Sequence, residues 1–420
     1  MTLPLVLIPQ YFGSLVFDRR TSRYAPFDRD ATDLLRRTLD EPAWRAGEAE
    51  LVRCLEREGY FQPDGRFAGV ALQASPPADH LLGPLAVHVE VIAACNLACT
   101  HCFAGELPRR TTLSTPELEA LFGQLAQLGS FRLGLTGGEP LLRKDLLEVI
   151  DAATAHGLHP CLTTNGLLLD ERVARELGKR ELVWINVSLD GACAATSDRV
   201  RGAGTFDEVV RRLRAYGRHL RFTLAFTITS HSAREVEACA ALAAELGAHT
   251  AVFRPVYPVG VARSHAELMP SFAEYTDALE RLTRSGSVRA IDSFSPGARG
   301  DVQAVTYQGP GCGAANLVAS VSATGEVNPC SFLGAAFESG NVRERPFRDI
   351  WNDGHAFRRL RGRPADDGFR GGCRARALAA HGDVFAPDPW HDEWLARGDA
   401  SAPAPATNLH ARRVHLPVVP

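Results

Sequence analysis

The 420-residue chain has little net charge, little lysine, only 2 methionines and no long apolar run. Its formal charge of −3, from 46 basic and 49 acidic residues, gives no electrostatic case for nucleic acid or an acidic membrane surface as partner. No apolar stretch approaches the length that spans a bilayer. The segment Met1–Gln10 lacks a basic stretch and a small-residue cleavage site, so it does not read as a secretory signal. The expectation is a cytoplasmic protein, in a compartment where disulfides are rare. Arginine far outnumbers lysine, which reflects the base composition of the source rather than function. The 45% apolar and 23% charged residues are those of an ordinary globular protein, long enough for two or three domains.

Ten cysteines in such a compartment read as metal ligands or redox groups where they cluster. Cys54, Cys161, Cys193 and Cys239 stand alone, mostly within apolar patterns, and read as small buried hydrophobes. The remaining six need another explanation.

Residues 1–72 read as a small separate unit. Short strands around Leu15, Phe17 and Tyr24 lead into a helix near Asp30, with Ala31, Leu34, Leu35 and Leu39 on one face. A second helix spans roughly Glu48–Glu58 and stops at Gly59. Residues 73–80 have linker composition. From Leu85 strands and helices alternate: strands near 85–94, 131–136, 159–164, 182–189, 221–229 and 249–257, and helices near 115–129, 144–157, 170–180, 205–219, 232–247 and 271–285. Ser114 and Glu117 form a capping box at the first of these helices. The alternation implies an α/β fold with a parallel sheet, and six units suit a partial (β/α)6 TIM-like barrel. Residues 291–395 are irregular, Gly-rich and cysteine-bearing. The tail, 396–420, is expected to be disordered.

Cys95-x3-Cys99-x2-Cys102 directly follows the first barrel strand. Three thiolates on one short loop can hold a cubane cluster with its fourth iron open, or, with a fourth ligand such as His101, a zinc ion. Thr136-Gly-Gly-Glu-Pro140 ends the second strand, where paired glycines would allow close approach of a ligand and Glu139 could accept from an ammonium group. The third strand ends in Thr164-Asn-Gly166 and the fourth in Ser188-Leu-Asp-Gly191. Polar groups thus gather at the carboxyl ends of four successive strands, the face on which barrel sites form. Arg254 and Tyr257, at the end of the sixth strand, are read as facing the same cavity.

Together these motifs resemble the radical SAM superfamily over about residues 85–290. The resemblance implies that Cys95, Cys99 and Cys102 ligate a [4Fe–4S] cluster whose open iron binds S-adenosylmethionine. It also implies that Gly137, Gly138 and Glu139 hold the methionyl amine, that the His101 backbone meets the adenine, and that Ser188 contacts the ribose or carboxylate. Arg201, in Ser197-Asp-Arg-Val-Arg-Gly202, matches an arginine placed on the methionyl carboxylate. The implied activity is reductive cleavage of S-adenosylmethionine to a 5′-deoxyadenosyl radical that abstracts a substrate hydrogen, with flavodoxin or ferredoxin as electron donor.

The C-terminal region resembles the SPASM/twitch extension of the same superfamily, with Cys312, Gly325 and Cys330 as its opening and Cys373 as a later ligand. Its ending is similar to mycofactocin-type and pyrroloquinoline-quinone-type maturases. It departs from them in keeping only the last of a four-cysteine run and in placing His391 where a final cysteine would stand. That pattern implies one auxiliary [4Fe–4S] cluster. The N-terminal unit resembles the winged-helix-like domains that recognise peptide leaders, and a structural cap is the competing reading. The implied function is maturation of a ribosomally made precursor peptide. The alternatives are radical chemistry on a small molecule, such as a tetrapyrrole, nucleotide or sugar, and a non-catalytic iron–sulfur sensor.

Overall fold

The computed structural model describes residues 3–45, 47–104, 111–285, 312–362 and 367–397. The chain begins with β1 (Leu5–Gln10), β2 (Gly13–Asp18), β3 (Arg23–Phe27), α1 (Arg29–Arg37), α2 (Ala49–Arg57) and β4 (Gly69–Ala71). These strands form a sheet in the order β3-β2-β1-β4. Strand alternation gives the sheet two apolar faces. Leu5, Leu7 and Val16 pack with Leu34 and Leu35 of α1 and Val52 and Leu55 of α2, whereas Val6, Ile8, Leu15, Phe17 and Tyr24 join the main core. Within the segment read for its missing export signal, Leu5–Gln10 form a buried strand. Asp28 caps α1 by accepting from the Ala31 amide at 2.9 Å.

The second part of the chain runs β5 (Ala86–Glu90), α3 (Thr115–Gln127), β6 (Arg132–Thr136), α4 (Leu146–Ala155), β7 (His159–Thr164), α5 (Glu171–Gly178) and β8 (Ile185–Ser188). It continues with α6 (Ala194–Arg201), α7 (Thr205–Tyr216), β9 (Phe222–Ile228), α8 (Val236–Glu245), β10 (Thr250–Pro255) and α9 (Phe272–Ser285). All six expected strands are present, although β5 is half the anticipated length because the backbone leaves the sheet after Glu90 to form the cysteine loop. The capping box of Ser114 and Glu117 is formed at α3. Helix α6 was not anticipated, and it carries Arg201.

The C-terminal region is more regular than expected. It contains β11 (Val318–Val321), β12 (Val327–Asn328), α10 (Phe347–Asp353), α11 (His355–Gly362), α12 (Arg374–His381) and α13 (Pro389–Ala396). Burial of Phe347, Trp351, Phe357 and Phe369 explains why these short helices hold. Strand β11 pairs in parallel with β5, so the second sheet has eight strands in the order β10-β9-β8-β7-β6-β5-β11-β12. The partial barrel is thus extended beyond its six repeats by a strand from the C-terminal region. Residues 286–311 and the expected tail from 398 onward lie outside the described residues. No helix among the described residues is long and apolar enough to cross a membrane.

Tyr24 joins the two sheets. Its buried hydroxyl donates to the Gly129 carbonyl at 2.8 Å and accepts from the Phe131 amide at 2.7 Å. Phe17 stacks on Phe131 with ring centroids 4.8 Å apart. Tyr24→Phe strands a backbone donor and acceptor in an apolar junction, so it should lower stability by about 1–3 kcal/mol. Chemical denaturation, with the transition followed separately in the two parts of the chain, checks this.

Candidate radical and iron–sulfur site

The cysteine loop is held by backbone contacts with the turn after β6. Gly138 donates its amide to Ile92 O at 2.8 Å, and Glu139 donates to Ala94 O at 2.9 Å. A Cβ on Gly137 would lie 2.3 Å from Ile92 O, and one on Gly138 would lie 2.2 Å from Ala94 O. These glycines therefore make room for the loop that carries Cys95. Gly137 also has φ of +141°, which favours glycine.

Glu139 is fully buried, and three donors already reach it. Oε1 accepts from the Thr164 hydroxyl at 2.6 Å and the Leu141 amide at 2.9 Å, and Oε2 accepts from the Asn165 amide at 2.7 Å. One carboxylate thus ties the ends of β6 and β7 together, leaving lone-pair capacity for one further donor. Asn165 also donates to Asn96 Oδ1 at 2.7 Å, which couples the Thr164-Asn-Gly166 turn to the cysteine loop.

Asp190 is the residue the sequence reading left unassigned, although it lies inside the Ser188-Leu-Asp-Gly191 motif. Its side chain is wholly buried, and Oδ2 lies 3.0 Å from His101 Nε2 and 2.5 Å from Arg201 Nε. Its Oδ1 accepts from the Thr227 amide at 2.8 Å. Burial alone would raise this carboxyl, yet the Arg201 and His101 partners hold it well below the usual carboxylate range. Arg201 is accordingly not a solvated surface residue. Its side chain is 10% exposed, and its charge acts on Cys99 and Cys102. Ser188 sits at the end of β8 on the interior face, where Glu90, Thr136 and Thr163 also point.

The thiols of Cys95, Cys99 and Cys102 lie near enough for their charges to act on one another. Burial pushes Cys99 up to about 11 against the pull of Arg201. Among the described residues no three His, Cys, Asp or Glu side chains converge as ligands of one metal ion. Within the same turn Thr100 Oγ1 and His101 Nδ1 are buried without a hydrogen-bond partner among the described residues. Unpaired polar atoms beside three adjacent thiols fit a site that an added group completes.

A second trio, Cys312, Cys330 and Cys373, is gathered by the segment before β11, the turn after β12 and the N-cap of α12. Burial pushes Cys373 up to about 12 and raises Cys330 as well. Rings bridge the two trios: Phe103 lies edge-on to Phe332 at 5.5 Å, and Phe332 stacks on Tyr257 at 4.9 Å. Arg254 shares the interior face with His88, as expected, and Tyr257 is buried in the aromatic bridge. Of the four isolated cysteines, Cys239 is buried, Cys193 is exposed, and Cys54 and Cys161 are intermediate, so the expectation of burial fails at Cys193.

Residues 89–243 match the family model described as the radical SAM superfamily, and residues 312–375 match the SPASM iron–sulfur cluster-binding domain. The mycofactocin maturase MftC of Mycobacterium tuberculosis is 31% identical over 360 residues, covering 80% of this chain and 91% of that protein. The AdoMet-dependent heme synthase of Methanosarcina barkeri is 30% identical, with coverage of 73% and 96%. The PqqA peptide cyclase of Xanthomonas campestris is 32% identical over 367 residues, with coverage of 80% and 95%. The structure of Streptococcus suis SuiB bound to S-adenosylmethionine superimposes with a TM-score of 0.70 at 15% identity, covering 93% of this chain and 99% of that one, a likeness of fold. The chain belongs to the radical SAM superfamily and carries a SPASM domain. It is an enzyme class whose cofactors are a cluster that binds S-adenosylmethionine and auxiliary iron–sulfur clusters.

Asp190→Asn removes the charge that compensates a buried guanidinium. The expected loss is about 3–5 kcal/mol, because an unpaired buried cation costs more than the pair contributes. Denaturation of the iron-free protein tests this, and Asp190→Asn/Arg201→Met should recover part of the loss.

Proposed function

We propose that the chain is a peptide maturase, a radical SAM enzyme that modifies a ribosomally made precursor by hydrogen abstraction. The observation that carries this reading is that two peptide-modifying enzymes, a mycofactocin maturase and a PqqA peptide cyclase, align over 80% of the chain at 31% and 32% identity. A fold neighbour, SuiB, has been crystallised with its precursor peptide SuiA. The heme synthase relative supports the second reading, a small-molecule substrate such as a tetrapyrrole. In the first reading residues 1–72 recognise a leader. The unpaired outer edges of β3 and β4 among the described residues support peptide capture by strand addition. The sheet's inner face packs on the main core, so the same unit also caps the barrel.

In this proposal Cys95, Cys99 and Cys102 hold the cluster that binds S-adenosylmethionine. When bound, the two groups together supply a 5′-deoxyadenosyl radical. Glu139 accepts from the methionyl ammonium with its remaining lone-pair capacity, and Arg201 faces the methionyl carboxylate. Gly137 and Gly138 hold the loop in place, the His101 backbone lies against the adenine, and Ser188 contacts the ribose or carboxylate. Asp190 orients Arg201 and His101. Cys312, Cys330 and Cys373 hold one auxiliary cluster. A flavodoxin or ferredoxin donates the electron, and the enzyme works in the cytoplasm.

Anaerobically reconstituted protein with a reductant should form 5′-deoxyadenosine, and replacing Cys95, Cys99 and Cys102 together by Ala should abolish it. Iron should number about eight per chain in the parent protein, two cubanes, and about four in the triple variant. Unchanged 5′-deoxyadenosine formation by the triple variant would sink the assignment of the loop. Incubation with any short precursor peptide encoded near the gene, followed by mass spectrometry, separates the two substrate classes: an unaltered peptide favours the small molecule.

Glu139→Gln replaces a charge-assisted hydrogen bond to the ammonium by a neutral one, so affinity for S-adenosylmethionine should fall by about 1–2 kcal/mol with iron retained. Calorimetric titration of reconstituted protein decides it. An unaltered dissociation constant means that Glu139 only ties the strand ends together.

A further inference from the structure

Arg376 is 4% exposed and stands three residues beyond Cys373 on α12. Its Nε and Nη2 donate to the Asp388 carboxylate, at 3.0 Å to Oδ1 and 2.7 Å to Oδ2. Asp388 is fully buried, and its oxygens also accept from the Cys373 amide at 2.6 Å and the Trp390 amide at 3.1 Å. One edge of the guanidinium fork is therefore occupied. On the other edge Nη1 is buried and has no hydrogen-bond partner among the described residues. The rings of Trp390 and Tyr257 lie 4.6 and 5.4 Å from the guanidinium carbon, and neither offers this N–H a lone pair of its ring carbons.

A charged donor shut away from water without an acceptor is costly, and native structures seldom keep one unless something outside the chain completes it. The surroundings indicate what that is. The Arg376 charge acts on the Cys373 thiol, and Cys373 in turn interacts with Cys312. Cys330 feels both of them. Arg376 thus stands next to the trio, and a cluster bound there would offer anionic sulfur as the acceptor that Nη1 lacks among the described residues.

We infer that Arg376 is a tuning residue of the auxiliary cluster: its Nη1 donates a hydrogen bond to an anionic sulfur of the cluster held by Cys312, Cys330 and Cys373. This rests on the reading that those three cysteines hold a cluster. Reduction adds one negative charge to the cluster, so an adjacent cation and N–H donor favour the reduced form and raise its potential. Asp388 sets the orientation by occupying the opposite edge and by fixing the Cys373 amide in the same contact.

The test uses the Cys95/Cys99/Cys102→Ala variant of the full chain, in which only the C-terminal cluster remains to be titrated. Arg376→Leu/Asp388→Asn removes the donor and its counter-charge together, and the single Asn oxygen keeps an acceptor for one of the two amides, Cys373 or Trp390. Its midpoint potential, followed by electron paramagnetic resonance, should become more negative by about 59 mV, the one-electron equivalent of a tenfold shift between oxidised and reduced forms. An unmoved potential with iron retained overturns the inference. A parent triple variant that holds no iron overturns the cluster assignment itself, and the inference with it. If the double replacement fails to fold, protein labelled at arginine nitrogen and otherwise unchanged at Arg376 gives the answer. Pulsed resonance on the reduced cluster should show nitrogen coupling that Arg376→Lys abolishes, and its absence in the labelled protein overturns the inference.

Discussion

The site depends on one close approach, that of the backbone at Ile92–Ala94 to the turn at Gly137-Gly138. Two amide donors and two missing side chains bring these segments to distances at which any Cβ would collide. Everything that follows along the loop inherits its position from this contact. Cys95 starts from it, Asn96 reaches Asn165 across it, and the Cys99–Cys102 turn ends under the backbone at Gly260 and Val261. The glycine pair is therefore a packing requirement of the loop it admits.

The C-terminal region is coupled to the same element from the other side. Strand β11 pairs with β5, so the strand that launches the first cysteine trio is also the neighbour of the strand that follows Cys312. Arg343 strengthens the attachment by bonding Glu117 at 2.5 Å and the Thr111 and Thr112 carbonyls. That contact holds the Glu117 carboxyl down at about 2. With β5 leading into the first trio, and β11 and β12 flanked by Cys312 and Cys330, the relative position of the two trios is set by strand register, by the N-cap of α12 and by the Phe103–Phe332–Tyr257 bridge.

The six strands, their helices and the motif turns were legible because hydrophobic periodicity and turn residues are local signals. The parallel pairing of β11 with β5 was not, since a four-residue strand over 200 residues away leaves no periodic trace. Helices α10 to α13 were hidden for a related reason: each is seven or eight residues long and is held by buried aromatics supplied by tertiary packing. Candidate ligands stood out at the cysteines, because their spacing is a local signal. Asp190 was printed inside a motif, but its partners, His101 and Arg201, come from two other segments. Arg376 carried no signal at all, because an arginine near a cysteine is ordinary until its burial and its free edge are known.

The electrostatics of the two trios bear on how the protein acquires iron. Without it, burial keeps Cys99 and Cys373 protonated through the physiological range, with values raised to about 11 and 12. Iron takes thiolate, so each ligand must release a proton as the metal enters. The protein offsets part of that cost locally. Arg201 lies beside Cys99 and Arg376 beside Cys373, each a buried cation paired with its own counter-ion, Asp190 or Asp388. In the proposed assignment the same design recurs at both sites: a carboxylate holds a guanidinium in place beside a cysteine that would ligate a cluster.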